Sequence, residues 1–228
     1  MSSRPVIRLA CLMFLAASAM VSRPATANAQ PIQWTVASGG NGHWYEIVGV
    51  NGPTWSGARD LAAARVYNGF AGYLASITSA DEQAFVQNLL ATTVLAPNPS
   101  PCCGTHVFLG GYQDLSSPNY SEPSGGWRWT TDEPFIYTNW NQTPVLEPNN
   151  EPTEDFLLMS TGQGGSQPPG LPAPGAWNDG GDNNFHNVGY VVEYSATTVP
   201  EPSTYALVAT GLFGLGVAAR RRRKSPNR

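Results

Sequence analysis

The fold is decided by residues 55–86, which read WSGARDLAAARVYNGFAGYLASITSADEQAFV. Thr54, just before this stretch, is a residue type that caps helix N-termini, and it predicts a helix that runs on to Arg65. Residues 72–77 read GYLASI and predict a strand or extended segment. The predicted helix carries its apolar residues at Ala58, Leu61 and Ala62.

A second helix is predicted where this stretch ends. Ser79 is followed three residues later by Glu82, which is the spacing of a capping box at a helix N-terminus. The inner and flanking faces of this helix are predicted to carry Ala84, Phe85, Asn88 and Leu89. The stretch therefore predicts a helix, a strand and a second helix in close succession.

Three further stretches predict strands because they are apolar or alternating and rich in β-branched and aromatic residues. They are residues 42–48, 107–111 and 190–194. Between them lie long loops with three tryptophans predicted to pack in the core, namely Trp127, Trp129 and Trp140. Residues 161–175, rich in Gly, Pro and Gln, predict a flexible insertion.

The charges are distributed unevenly along the chain. Of the 12 Lys and Arg residues, three lie before residue 30 and six after residue 219, which leaves Arg59, Arg65 and Arg128. All 16 acidic residues lie between Glu46 and Glu201. A strongly acidic middle section repels phosphate backbones, so nucleic-acid binding is not expected. It suits a hard cation such as calcium, which prefers oxygen ligands.

The first 29 residues have the pattern of a secretory signal peptide. Arg4 and Arg8 form a basic start, residues 9–21 are apolar, and residues 27–29 read Ala-Asn-Ala, a cleavage signal. The mature chain is therefore predicted to begin at Gln30.

The C-terminus has three parts in order. Pro200, Glu201 and Pro202 come first, residues 205–219 are apolar, and residues 220–224 are basic. A span of this length is marginal for crossing a membrane, with the basic residues on the cytoplasmic side.

This arrangement resembles the PEP-CTERM sorting signal of Gram-negative bacteria, over residues 199–228. The resemblance implies processing by an exosortase-type protease and a final location at the cell surface, outer membrane or extracellular matrix after transient anchoring in the inner membrane. A plain single-pass anchor is the alternative.

Residues 30–198 resemble the C-type lectin-like family. The pieces that match, in order, are the stretch at 55–86, VFLGGY, GWRWTTDEPFIYTNW, EPNNEPTEDF, WND and YVVEY. The resemblance implies an α+β fold with two helices flanking small antiparallel sheets and a long loop region. Phe156 and Val192 stand close to positions where animal members carry disulfide cysteines, so apolar packing is expected to replace those bridges.

The resemblance also implies a calcium site. Glu147 and Asn149 offer oxygens that can point the same way if the Glu147–Pro148 bond is cis. Glu154 stands where the family has its next ligand, and Asn178 and Asp179 supply the last oxygens from a later segment. Asn150 and Asp155 are candidates for a second calcium ion, whose other ligands the sequence does not identify.

The same residues, Glu147, Asn149, Glu154, Asn178 and Asp179, are expected to bind sugar hydroxyls that complete the calcium shell. Because the motif is Glu-Pro-Asn and not Gln-Pro-Asp, it resembles that of mannose-type members. An exported, calcium-dependent lectin that binds mannose-type sugars or exopolysaccharide is therefore the main hypothesis. A structural or protein-binding adhesin on the same scaffold is the alternative, and an enzyme is not expected.

Overall fold

The computed structural model describes residues 30–95, 105–143, 145–151, 153–163, 172–183 and 186–195. The predicted signal peptide (1–29) and the sorting tail (199–228) lie outside these ranges, as do the apolar span 205–219 and most of the predicted insertion. In the described ranges, no helix is both long enough and apolar enough to cross a membrane.

Both predicted helices are present with the predicted caps. Helix α1 spans Trp55–Ala63, and the Thr54 hydroxyl accepts a hydrogen bond from the Gly57 amide at 3.0 Å. Helix α2 spans Ala80–Thr92, and the Ser79 hydroxyl accepts from the Glu82 amide at 3.2 Å. The capping residues therefore mark the helix starts correctly.

The buried face of α2 differs from the predicted one. Ala84 and Asn88 are exposed and Phe85 is half-buried, whereas the buried face is formed by Glu82, Gln83, Val86, Leu89 and Leu90. Two polar residues turn inward because they find buried partners. For example, the Gln83 side-chain carbonyl accepts a hydrogen bond from the Trp177 indole N–H at 2.8 Å. A hydrophobic pattern does not register such residues as part of the core.

Nine strands occur in the described part of the chain. They are β1 (Ile32–Gln33), β2 (Trp44–Gly49), β3 (Val66–Tyr67), β4 (Phe70–Leu74), β5 (His106–Gln113), β6 (Trp127–Trp129), β7 (Phe156–Ser160), β8 (Trp177–Gly180) and β9 (Asn187–Tyr194). The main path of the sheet is β1-β2-β9-β5-β7-β8, with β4 also paired to β9 and β6 to β5. The β5–β9 pairing is parallel and the others are antiparallel, so the strands form one mixed sheet.

The sheet separates two apolar clusters, because side chains alternate between its faces. On β7, Leu157 and Met159 join the cluster that contains the apolar residues of α2, while Leu158 joins the cluster of α1. Strand β9 alternates in the same way, with Val191 on the α2 side and Val192 on the α1 side. The predicted α+β class, with two helices flanking the sheet, is confirmed.

Apolar packing occupies the positions where disulfides were considered. Phe156 stacks on Trp55 at the start of α1, with ring centroids 4.6 Å apart. Val192 is fully buried in the same cluster as Ala58 and Ala62 of α1. These contacts fix α1 to the sheet by burial of apolar surface.

A long loop, residues 130–155, connects β6 to β7 and is held to the core by aromatic contacts. Trp140 forms a bridge with Trp177 of β8, and their rings meet edge to face at 5.7 Å. Trp129 is fully buried and contacts Trp177 in the same manner at 5.8 Å. The aromatic contacts therefore place the middle of this loop beside β8.

Candidate functional site

Asp179 on β8 connects the long loop to the sheet. Both of its carboxylate oxygens accept a hydrogen bond from the Asn149 amide at 3.1 Å, and Oδ2 also accepts from the Asn150 amide at 2.8 Å. Its exposure is only 1%. A buried carboxylate requires this kind of compensation, and the backbone of the loop provides it.

Asn150 gives the loop its turn. Its φ is 54°, in the left-handed region that Asn tolerates better than most residues. Its side-chain oxygen accepts hydrogen bonds from the amides of Thr153 at 3.1 Å and Glu154 at 2.9 Å. The Glu154 carboxylate in turn accepts from the Glu151 amide at 3.0 Å. The turn therefore folds Glu154 back toward Asn150 and Glu151.

Glu147 is held at the opposite end of this turn. The Glu147–Pro148 peptide bond is cis, as the resemblance implied for a calcium loop. The Glu147 amide donates to the Asn141 carbonyl at 2.9 Å, and the Asn141 side chain donates to the Val145 carbonyl at 2.7 Å. Glu147 is 7% exposed, so its carboxyl group is buried at the surface end of the core.

Three buried oxygen atoms of the predicted site lack a hydrogen-bond partner. They are Glu147 Oε2, Asn149 Oδ1 and Asn178 Oδ1. Buried polar groups in proteins are nearly always paired, so unpaired ones need a physical explanation. All three belong to acceptor groups, and an acceptor without a donor can be satisfied by a cation.

The electrostatics of the site also favour a bound cation. Burial raises the pKa of Glu147 to about 8, together with the charge of Asp179 and a hydrogen bond between the two side chains, with the charges of Glu154 and Glu151 adding to the effect. Burial and neighbouring charge likewise raise the pKa of Glu154 to about 7. The pKa of Asp155 is also raised, by burial and by Glu122 and Asp179. A positive charge among these groups would relieve their repulsion.

The structure places four of the five predicted residues near one another. Glu147, Glu154 and Asp179 interact electrostatically, and Asn149 is bound to Asp179 through its amide. Asn178 is placed beside them as the neighbour of Asp179 on β8. Within the ranges that the structure describes, no three His, Cys, Asp or Glu side chains are arranged to hold a metal ion by themselves. The predicted set includes three such carboxylates, Glu147, Glu154 and Asp179, so these three do not by themselves converge on one point in this structure.

Sequence patterns alone did not identify the residues that support this site. Asn141 and Asn150 shape the loop, and Asp182 fastens the segment after β8 to α1 by accepting from the Ser56 amide at 2.9 Å. For Asn150 a signal existed, because asparagine is enriched in the left-handed conformation that tight turns need. Asp182 acts on a backbone group 126 residues away, and no local pattern marks such a pair.

Residues 198–223 match the family model described as the PEP-CTERM protein-sorting motif. The predicted sorting signal at the C-terminus is therefore confirmed. No curated protein matches the chain.

Among solved structures, the chain is similar to C-type lectins. One is the EPNH mutant of CEL-I, a lectin from Cucumaria echinata, with 21% identity, a TM-score of 0.49, and coverage of 68% of this chain and 91% of that chain. CEL-IV follows at 22% identity and a TM-score of 0.48, covering 75% and 98%. The cow C-type carbohydrate-recognition domain of CD23, solved in the presence of GlcNAc2Man3 oligosaccharide, has 22% identity and a TM-score of 0.45, covering 68% and 89%. Because similarity of this degree does not transfer function, the role of the site rests on the residues of this chain.

Proposed function

We propose that this protein is an exported lectin that binds carbohydrate through a calcium ion held by Glu147, Asn149, Glu154, Asn178 and Asp179. The observation that carries the proposal is the set of three unpaired buried oxygens on Glu147, Asn149 and Asn178. They belong to the junction between one loop and one strand, where Asp179 joins the two.

The donor set fits calcium better than other common metals. All five side chains offer carboxylate or amide oxygens, which are the ligands that calcium takes in its shell of six to eight. Neither sulfur nor imidazole, which would favour zinc or copper, is among them. A divalent cation would also remove the repulsion that raises the pKa values of Glu147 and Glu154.

Carbohydrate fits the rest of the coordination shell. Five side chains leave places for two adjacent hydroxyl groups, each of which can donate to a carboxylate and accept from an amide. Acid and amide alternate at Glu147 and Asn149, and the order Glu-Pro-Asn resembles mannose-type lectins. Mannose, N-acetylglucosamine, glucose and fucose, with vicinal equatorial hydroxyls, are therefore the proposed ligands, free or within exopolysaccharide.

The sorting motif supports a location outside the cytoplasm. We place the mature chain from Gln30 onward at the cell surface or in the extracellular matrix, after processing at Pro200-Glu201-Pro202 by an exosortase-type protease. The apolar residues 205–219 would hold the chain in the inner membrane until then.

The test is a calcium titration of the purified protein, followed by binding to immobilised mannan with calcium and with chelator. We expect calcium to bind and mannan retention to disappear in chelator. Glu147→Gln should lose both, while Asp81→Asn, an equal change of charge on the exposed first turn of α2, should lose neither.

Other outcomes separate the alternatives. Calcium binding with no glycan bound from a broad panel would favour an adhesin scaffold in which the ion only orders the loop. Release of sugar from a labelled panel would indicate an enzyme. Absence of calcium binding at millimolar concentration would contradict the proposal.

A further inference from the structure

The surroundings of the calcium loop carry more negative charge than the proposed ion neutralises. Glu147, Glu154 and Asp179 around a divalent ion leave one negative charge, and Glu151 and Asp155 lie in the same loop. Glu151 is exposed, and its amide donates to the Glu154 carboxylate at 3.0 Å. Burial is the largest cause of the raised pKa values of Glu147 and Glu154, and the charge of Glu151 adds to both.

Basic side chains do not balance this charge. Between residues 30 and 199 the chain has three bases, Arg59, Arg65 and Arg128, and no lysine. Arg59 binds Asp60 at 2.9 Å, and Arg65 binds Glu46 through Nε at 3.0 Å. Arg128 binds two carboxylates, those of Asp114 and Asp132, each at 2.8 Å. Each arginine therefore already has a carboxylate partner, so no unpaired arginine is available to receive an anionic ligand.

The site is more than a group of acidic residues on a surface. Glu147 is 7% exposed and its Oε2 has no hydrogen-bond partner, and Asn149 and Asn178 carry unpaired buried oxygens beside it. These atoms define where a ligand would lie, and the exposed carboxylate of Glu151 is four residues further along the same turn. Charges within about 8–10 Å of one another interact appreciably in physiological salt.

We propose that the site selects glycans without acidic groups, and that Glu151 is the residue that repels uronate- and phosphate-bearing chains. This inference rests on the proposed function. The physical basis is that a carboxylate on the ligand would enter a region with surplus negative charge and no arginine or lysine to receive it. Neutral sugars bind through hydroxyls and avoid this repulsion.

The experiment compares two ligands of similar size on the purified protein in calcium. Methyl mannoside and methyl glucuronide are titrated by calorimetry at 20 mM and 500 mM sodium chloride. We expect the neutral sugar to bind about tenfold more tightly at low salt, and the difference to shrink at high salt because the repulsion is screened. At low salt, Glu151→Gln should reduce the difference between the affinities for the two ligands, and Glu151→Lys should reduce it further.

A matched control and three outcomes make the test decisive. Asp81→Asn removes the same charge from α2 and should leave the difference unchanged. Equal affinity for both ligands in the unaltered protein, or a Glu151→Gln variant with an unchanged difference, would overturn this inference while leaving the proposed function intact. Failure of every neutral and acidic glycan to bind in calcium would overturn the proposed function and the inference with it.

Discussion

Two groups of carboxylates in this protein differ in how their oxygens are satisfied. The core pair, Glu82 and Glu193, lies between α2 and the sheet and is fully hydrogen-bonded. Glu82 Oε2 accepts from the amide and hydroxyl of Thr78 at 2.7 and 2.9 Å, and Tyr45 donates to Oε1. Glu193 accepts from the Ser76 amide at 3.1 Å and bonds His43 Nδ1 at 2.6 Å.

The loop group, Glu147, Glu154 and Asp179, is satisfied only in part. Asp179 is bound by two loop amides, yet Glu147 Oε2 has no partner. The core pair has an adjacent histidine, whose pKa is raised: burial opposes the charged form, but the hydrogen bond and charge of Glu193 outweigh it. No such cation is close to the loop group within the described residues.

The comparison separates carboxylates that find all their partners inside the protein from carboxylates that do not. Burial raises the pKa of Glu193 as it does that of Glu147, whereas Glu154 of the loop group is only half-buried. The protein itself supplies partners for the core pair, which then stabilises the fold. It leaves one oxygen of Glu147 in the loop group without a partner, which is why we propose a cation there.

The largest effect is expected from Glu193→Ala in the core pair. The change leaves His43 and the Ser76 amide without their acceptor inside the protein, and we expect the free energy of unfolding to fall by about 3–5 kcal/mol. Urea denaturation measures it, and calcium affinity should stay within about twofold once the protein is folded. A loss of calcium binding equal to that of a loop variant would contradict the distinction between the two groups.

Asp179→Asn should affect the loop group most. It removes an anionic oxygen from the proposed shell and weakens the bonds to the amides of Asn149 and Asn150, so we expect calcium affinity to fall about 100-fold or more. Calorimetry with calcium measures this. An affinity within a few-fold of the original would show that Asp179 only fastens the loop.

The double exchange Glu147→Gln with Asn149→Asp keeps the number of oxygens and the total charge. It reverses which position accepts and which donates, so calcium should still bind while affinity for mannose falls about tenfold. Competition against immobilised mannan measures the change. Unaltered mannose binding would mean that the sugar does not contact these two residues.

The smallest effect is expected in how the melting temperature depends on pH with and without calcium. A carboxyl whose pKa is raised by folding stabilises the protein while protonated, and this stabilisation is lost as pH rises through the raised pKa. The pKa of Glu147 moves from 4.5 to about 8, so in chelator the melting temperature should fall between those pH values. Saturating calcium should reduce that fall by a few degrees. In Glu147→Gln, the curves of melting temperature against pH in chelator and in calcium should be alike. Parallel curves for the unaltered protein would contradict a cation at this site.

The sequence predicts the fold well where local chemistry decides it. Thr54 and Ser79 mark the two helix starts because each side-chain oxygen accepts a hydrogen bond from a free backbone amide three residues further on. The face of α2 was predicted wrongly because Gln83 turns inward to a partner on β8, 94 residues away. Hydrophobic periodicity reflects only residues that are close in sequence, so it cannot predict a hydrogen bond between residues this far apart.

The candidate site also combines features that local sequence predicts with features that depend on the folded structure. Glu147, Asn149 and Glu154 come from one short motif, and the resemblance linked them to Asn178 and Asp179. Asp179 binds the loop amides, and its proposed second role as an ion ligand depends on how the backbone of Asn149 and Asn150 is oriented. That orientation arises from the folded turn and is not encoded by residue type alone.

The end of β9 sets the distance between the folded body and the sorting motif. The strand ends at Tyr194, which pairs with Trp44, so the end of the last long strand lies beside the start of the first one. Five residues lead from Ser195 to Pro200, at most about 18 Å of extended chain. Any enzyme that recognises the motif must therefore act within about that distance of the last strand of the sheet.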